Sequence, residues 1–201
     1  MNAFVKKVNN LVLLSFITGL FLTGCGESEV TGETGKVIAA DGSVKATIVR
    51  DFDESLYSVS ELEDMMNSEA ADYNSSNGAG NVSVVSVECV DNKVTAVMDY
   101  KSDRDYSSFN SRYFTRESCD EAIANGSLRV SMKDASSLEG VDISSITGSD
   151  KLDVLVTDEV GYLTLPGKVR YISDGVEVVT KKQVLVSDNM DGLAYIIFSR
   201  K

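Results

Sequence analysis

The chain has no histidine and no tryptophan in 201 residues, one proline and three cysteines. Without histidine there is no Ser–His or Cys–His nucleophile pair, no H-E-x-x-H metalloprotease helix and no imidazole-ligated zinc or haem. Without tryptophan the favoured stacking platform for sugars is gone, which leaves that work to the tyrosines. Neither G-x-x-x-x-G-K-[ST] nor G-x-G-x-x-G occurs, so the usual nucleotide cradles are missing. Basic residues are also few. Nineteen Lys and Arg stand against 31 Asp and Glu, a net charge of −12. Such a surface repels nucleic acid and anionic headgroups, and it attracts cations and basic peptides. Neither a nucleic-acid partner nor a cofactor is expected.

Only one long apolar run exists, from Leu11 to Leu22, interrupted by Ser15, Thr18 and Gly19. Twelve helical residues rise about 18 Å at ~1.5 Å each, short of the ~30 Å hydrocarbon core of a bilayer. Lys6 and Lys7 precede the run, and small residues leading to a cysteine follow it. That order is a secretory signal peptide. Leu22-Thr23-Gly24-Cys25 resembles the lipobox of bacterial lipoproteins. The resemblance implies cleavage after residue 24 and lipidation of Cys25, which anchors the chain to the extracytoplasmic face of the cell membrane. Acyl chains on one residue give a stable anchor, because each buried methylene contributes about 0.8 kcal/mol. Loss of residues 1–24 removes two lysines and no acid, for a mature net charge near −14.

Three segments are expected: signal peptide 1–24, lipidated cysteine and flexible tether 25–37, and one domain 38–201. The tether reading rests on Gly26 to Gly35, rich in glycine, small polar residues and acids with little to bury. In the domain, Ser43–Arg50 reads as a strand. A helix spans Ser60–Asn74, with Ser60 and Glu63 as a capping box and Leu62, Met65, Met66, Ala70 and Tyr73 as one apolar stripe. Val82–Val90 and Lys93–Lys101 read as a hairpin around Asp91-Asn92, with paired numbers summing to 183. That register places Val85 opposite Met98, Val87 opposite Ala96 and Cys89 opposite Val94. Helical turns at Asp105–Asn110 and Glu117–Ala124, a strand at Leu128–Met132 and a loop from Ala135 to Asp150 follow. The C-terminal third reads as strands: Leu152–Thr157, Tyr162–Leu165, Lys168–Ser173, Val176–Thr180, Gln183–Ser187 and Ala194–Ser199. Asp174-Gly175 is a hairpin signal, and the last strand, apolar on both faces, is expected at the centre of a covered sheet. Together these predict an α+β fold, an antiparallel β-sheet covered by one main helix and short helical turns.

Chemistry could sit in three places. Asp51-Phe-Asp53-Glu54 and Asp103-Arg-Asp105 are close acid pairs, suited to glycan hydrolysis or Ca²⁺ binding, or to solvated loop ends. Ser187-Asp-Asn189-Met-Asp191-Gly192 imitates the start of an EF-hand loop, but Phe198 replaces the closing glutamate and a β-turn explains it better. Tyr100, Tyr106, Phe109, Tyr113 and Phe114 interleave with Arg104, Arg112 and Arg116. They form either a contact surface for an envelope partner or a set of rings sealing the hairpin against the short helices. Cys89 and Cys119 both fall on core faces, where they can bond to each other or stay free.

The order of Asp51-Phe-Asp53 with Tyr57, a helix, a hairpin, Asp105-Tyr-x-x-Phe-Asn110 and Tyr195-Ile-Ile-Phe198 resembles small lipoproteins of Gram-positive bacteria. That resemblance implies an envelope protein and carries no catalytic residues. A non-catalytic binding or scaffolding lipoprotein is the leading expectation. A small-ligand or metal-ion accessory protein and a carboxylate-dependent glycan hydrolase are the alternatives, and no metal site is assigned. Metabolic labelling with palmitate should mark the wild type, and Cys25→Ser should lose both the label and the membrane fraction.

Overall fold

The structure is a computed structural model that describes residues 32–146, 148–190 and 192–200. The expected signal peptide, Cys25 and residues 26–31 of the expected tether therefore lie outside the described residues, as does Asp191 of the segment that imitates an EF-hand loop. The N-terminal part runs β1 (Gly35–Ile38), β2 (Val44–Asp51), α1 (Val59–Asn77), β3 (Val82–Val90), β4 (Lys93–Tyr100), α2 (Asp103–Asn110), β5 (Phe114–Ser118) and α3 (Cys119–Asn125). The C-terminal part runs β6 (Met132–Asp134), β7 (Gly140–Val141), β8 (Leu152–Thr157), β9 (Gly161–Thr164), β10 (Val169–Ser173), β11 (Val176–Val178), β12 (Gln183–Val186) and β13 (Ala194–Ser199).

These strands form two sheets, where one had been expected. A seven-stranded sheet has the order β11-β12-β9-β1-β2-β4-β3, antiparallel except where β1 runs parallel to β9. A six-stranded antiparallel sheet has the order β5-β8-β13-β10-β6-β7. The main core lies between them. Ile38, Val44, Met98 and Leu163 from the first sheet meet Leu155, Ile172, Ile196 and Phe198 from the second. A smaller core lies beyond the second sheet, where α3 and the 128–152 segment cover Val154, Val156 and Ile197. The strand β13 is central and covered on both faces, as its composition predicts. The α+β class holds, but α1 covers one end of the first sheet, against β3, instead of a whole face.

The C-terminal strands divide between the sheets because the chain crosses over four times, between β8 and β9, β9 and β10, β10 and β11, and β12 and β13. The β10–β11 crossing is at Asp174-Gly175. The Asp-Gly signal thus marks a corner and not a hairpin. Gly175 sits at φ 79°, and a Cβ there would meet Met190 at 2.7 Å. At Asp91 and Asn92 both φ values are positive, 52° and 58°, as a two-residue type I′ turn requires. The 183 register holds from Ser86 to Val90. A bulge at Val85 then shifts Val84 opposite Met98, so Val85 is pushed out of the pairing.

Other boundaries also move. The expected tether ends early, since residues 35–37 already pair with β2 and β9. Ser58, not Ser60, caps α1 by accepting the Glu61 N–H, and Met65 lies outside the buried stripe. Phe114–Ser118 is a strand where a loop and the start of a helical turn were expected, and the expected Leu128–Met132 strand survives only as β6. Cys89 and Cys119 are both free thiols. Cys89 belongs to the first sheet, while Cys119 is buried in the smaller core beyond the second. The bonded alternative therefore fails on position. Burial, with Asp120 and Asp153 nearby, pushes the Cys119 thiol up to about 11.

One buried carboxylate ties the two sheets at their rim. Asp153 on β8 accepts Arg116 Nε at 3.0 Å and Arg200 Nε at 2.5 Å. Arg116 Nη1 and Nη2 also donate to Ala39 and Ala40 carbonyls, in the β1–β2 turn of the other sheet. Removing the acid leaves two partly exposed guanidinium groups without this partner. Asp153→Ala should cost about 2–3 kcal/mol, less than for a fully enclosed pair, as a lower urea midpoint at unchanged m-value.

Candidate functional site

A polar recess opens at the β8–β9 crossover. The inward positions of β1 alternate as Lys36 and Ile38, so a lysine points into the sandwich next to Ala46 and Leu163. A charge there needs a partner. Glu159 supplies it from the crossover, its N–H donating to Thr157 Oγ1 at 3.0 Å. Lys36 Nζ lies 2.7 Å from Glu159 Oε2 and donates also to the Val160 carbonyl at 3.3 Å. The second carboxylate oxygen accepts the Tyr106 hydroxyl at 2.7 Å. Both ionic side chains are nearly enclosed, at 6% and 11% exposure.

Tyr106 is placed by α2, whose N-cap Ser102 accepts the Asp105 N–H. Its ring packs edge-on against Tyr100 at 4.9 Å and against Phe114 at 4.7 Å. Burial, followed by the negative charge of Glu159, holds the Tyr106 hydroxyl far above the usual tyrosine range. It stays a donor. Thr34, Arg50, Tyr100, Asn110 and Arg112 complete a recess of about 170 Å³. Arg112 Nε is 3.9 Å from Glu159 Oε1, with Nη1 3.8 Å from Asp158. That makes ion pairs but no tight hydrogen bond, and the guanidinium is 54% exposed at the mouth. Both oxygens of Glu159 are engaged, Oε2 by Lys36 and Oε1 by Tyr106. The arrangement suits holding charge better than moving protons.

The expected aromatic and arginine surface divides on folding. Tyr106 and Phe114 are core residues, and Phe109 is half-buried against Tyr73 and Tyr100 at 5.6 and 5.8 Å. Arg116 is bound to Asp153. Only Arg104, Arg112 and Tyr113 stay exposed. Tyr100, Tyr106, Phe109 and Phe114 seal the hairpin against the short helices, and Tyr113 lies outside that cluster. The acid pairs also have structural duties. Asp53 Oδ1 accepts the Ser55 N–H and hydroxyl, and Asp51 pairs with Lys93. Asp105 accepts from Ser102, Tyr73 and Asn81, and Asp103 from the Arg116 N–H. Among the described residues no group of three or more Cys, Asp or Glu is placed to hold a metal ion. Lys36 and Glu159 were missed in the sequence. The available signal was Lys36 two positions before an inward isoleucine, hidden by the glycine-rich residues before it.

Because Tyr106 keeps its proton in the fold while an unfolded tyrosine loses it near the ordinary value of 10.0, its contribution to stability is complete below that pH. It is lost as the pH rises above it. The urea midpoint should therefore fall above about pH 10, where unfolded tyrosines ionise. Tyr106→Phe should be about 1.5–3 kcal/mol less stable at pH 8, the usual loss for a hydrogen bond to a charged group. Its decline at high pH should be shallower, with the part due to Tyr73 and Tyr100, also shifted up by burial, remaining. No protein family, no curated protein and no solved structure matches the chain.

Proposed function

We propose that the chain is a membrane-tethered, non-catalytic binding or scaffolding lipoprotein of the bacterial cell envelope, anchored through Cys25 on the extracytoplasmic face. The observation that carries the non-catalytic part is the double engagement of Glu159 by Lys36 and Tyr106. In the one recess where an acid, an amine and a phenol meet, each is held by the others. The acid pairs proposed for glycan hydrolysis are bound up in turns and caps, which weakens that alternative. Contact with an envelope partner is assigned to the exposed remainder of the arginine patch, Arg104, Arg112 and Tyr113. A second reading, a small-ligand accessory protein, draws support from the Arg112 guanidinium, which faces the recess without a tight hydrogen bond. Its ligand would be a small anion.

Crosslinking in intact cells separates these readings. Wild type should capture one abundant envelope protein, and Arg104→Gln with Tyr113→Ala should lose it while the urea midpoint stays put. Equal capture by both forms would remove this surface from the proposal. Saturable binding of inorganic phosphate or acetate, lost in Arg112→Gln, would favour the second reading.

A further inference from the structure

The open edge of the seven-stranded sheet is β3, nine residues long, while the opposite edge β11 has three. The type I′ turn fixes which backbone groups of β3 point outward. Val90 and Lys93, flanking the two-residue turn, bond to each other, and bonded pairs then alternate. Glu88 and Ser86 therefore turn their N–H and C=O groups toward β4, and Cys89 and Val87 turn theirs away. The bulge at Val85 resets the alternation, so Val84 and Val82 also face outward. Val82 verifies this phase. Its N–H donates to Asn74 Oδ1 at 2.9 Å, and its carbonyl accepts from Asn74 Nδ2 at 2.8 Å. The side-chain amide of Asn74 stands in for one residue of a neighbouring strand. Past Val82 no described strand lies along this edge.

Acids dominate the surroundings of the edge, and Lys93 at the turn is paired with Asp51. The helix α1, packed against β3, carries Glu61, Glu63, Asp64, Glu69 and Asp72 and no basic residue. Glu54, in the loop before it, is close enough to help raise the Cys89 thiol. Glu88 is exposed on the strand itself, while Val85 and Val90 are 51% and 66% exposed and offer apolar contact.

We propose that β3 accepts an extended, cationic segment of another protein as an added strand. Backbone bonds to Val84, Val87 and Cys89 supply the attachment, and Lys or Arg side chains facing α1 supply the selectivity. A second copy of this chain is a poor occupant, because each copy carries the same acids beside its edge. This inference deepens the binding-module reading by naming the partner's chemistry. It does not depend on Cys25, so a failed palmitate label leaves it standing.

The test uses the full-length chain in detergent micelles and a synthetic peptide alternating lysine and valine, read by amide hydrogen exchange. On saturation the Val84, Val87 and Cys89 amides should slow by about tenfold or more, with Glu88, already bonded to β4, unchanged. Replacing Glu61, Glu63 and Asp64 by their amides, all on the exposed face of α1, should weaken binding without touching the fold. Val87→Pro removes one outward donor and should weaken binding too, its fold checked by circular dichroism. The proposal is overturned if the peptide does not bind, or binds without slowing these amides. Equal binding of a glutamate–valine peptide overturns it as well, as does slowing that grows with protein concentration in the absence of peptide, which would make the occupant a second copy.

Discussion

A lysine pointing into a sandwich core is the constraint on which the rest of the arrangement depends. Lys36 is on β1, the strand that joins the two halves of the first sheet by pairing antiparallel with β2 and parallel with β9. A buried ammonium without a partner costs several kcal/mol, so Glu159 must be delivered to it. The crossover from β8 to β9 delivers it, and that crossover is one of the points where the chain passes from one sheet to the other. Tyr106 then closes the remaining carboxylate oxygen from α2, which links β4 of the first sheet to β5 of the second. One ion pair thus fixes two of the connections that make this a sandwich. Such a pair adds little net stability over apolar packing, but breaking it is costly. Its effect is on which arrangement forms.

The same device recurs at the other rim. Asp153 holds Arg116 and Arg200, and Arg116 reaches the β1–β2 turn. Asp105 gathers Ser102, Tyr73 and Asn81, which joins α2 to α1 and to the start of β3. In a chain this acidic, carboxylates are the most available polar groups, and the fold uses several as fasteners between elements distant in sequence. Those are the acids that looked most like catalytic pairs when seen only as neighbours in a string.

Local pattern was legible where local physics decides. Leu152–Thr157 and Ala194–Ser199 are strands at the predicted bounds because both faces of each are buried, which gives a near-continuous apolar run, broken in the first by the arginine-paired Asp153. The Asp91-Asn92 turn was readable because few residues tolerate two positive φ values in succession. What failed depended on partners elsewhere. Gly35 to Val37 read as tether because glycine and charge dominate nearby, and only β2 and β9 make them a strand. Asp174-Gly175 has the chemistry of a tight turn, which serves a corner between sheets as well as a hairpin within one. The bulge at Val85 has no mark in the sequence. The recess was half visible: Tyr106 and Arg112 were singled out for the wrong reason, while Lys36 and Glu159 are separated by 123 positions.

The placement of the recess and of the open edge follows from β1. Gly35 pairs with Thr47, and Asp51 pairs with Lys93. The start of β1 and the Asp91-Asn92 turn therefore lie at one end of the first sheet. With Cys25 lipidated as proposed, the seven peptide steps to Gly32 span at most about 25 Å. This keeps that end of the sheet close to the membrane. The strand β3 then runs between a membrane-near end at Val90 and a far end at Val82, where Asn74 already occupies the edge. On that proposal its open stretch is within reach of an extended segment held at the same surface. Tethering raises the effective concentration of such a partner. An edge that contributes only a few backbone bonds and a field of acids can then hold it, although the same contacts in free solution would be weak.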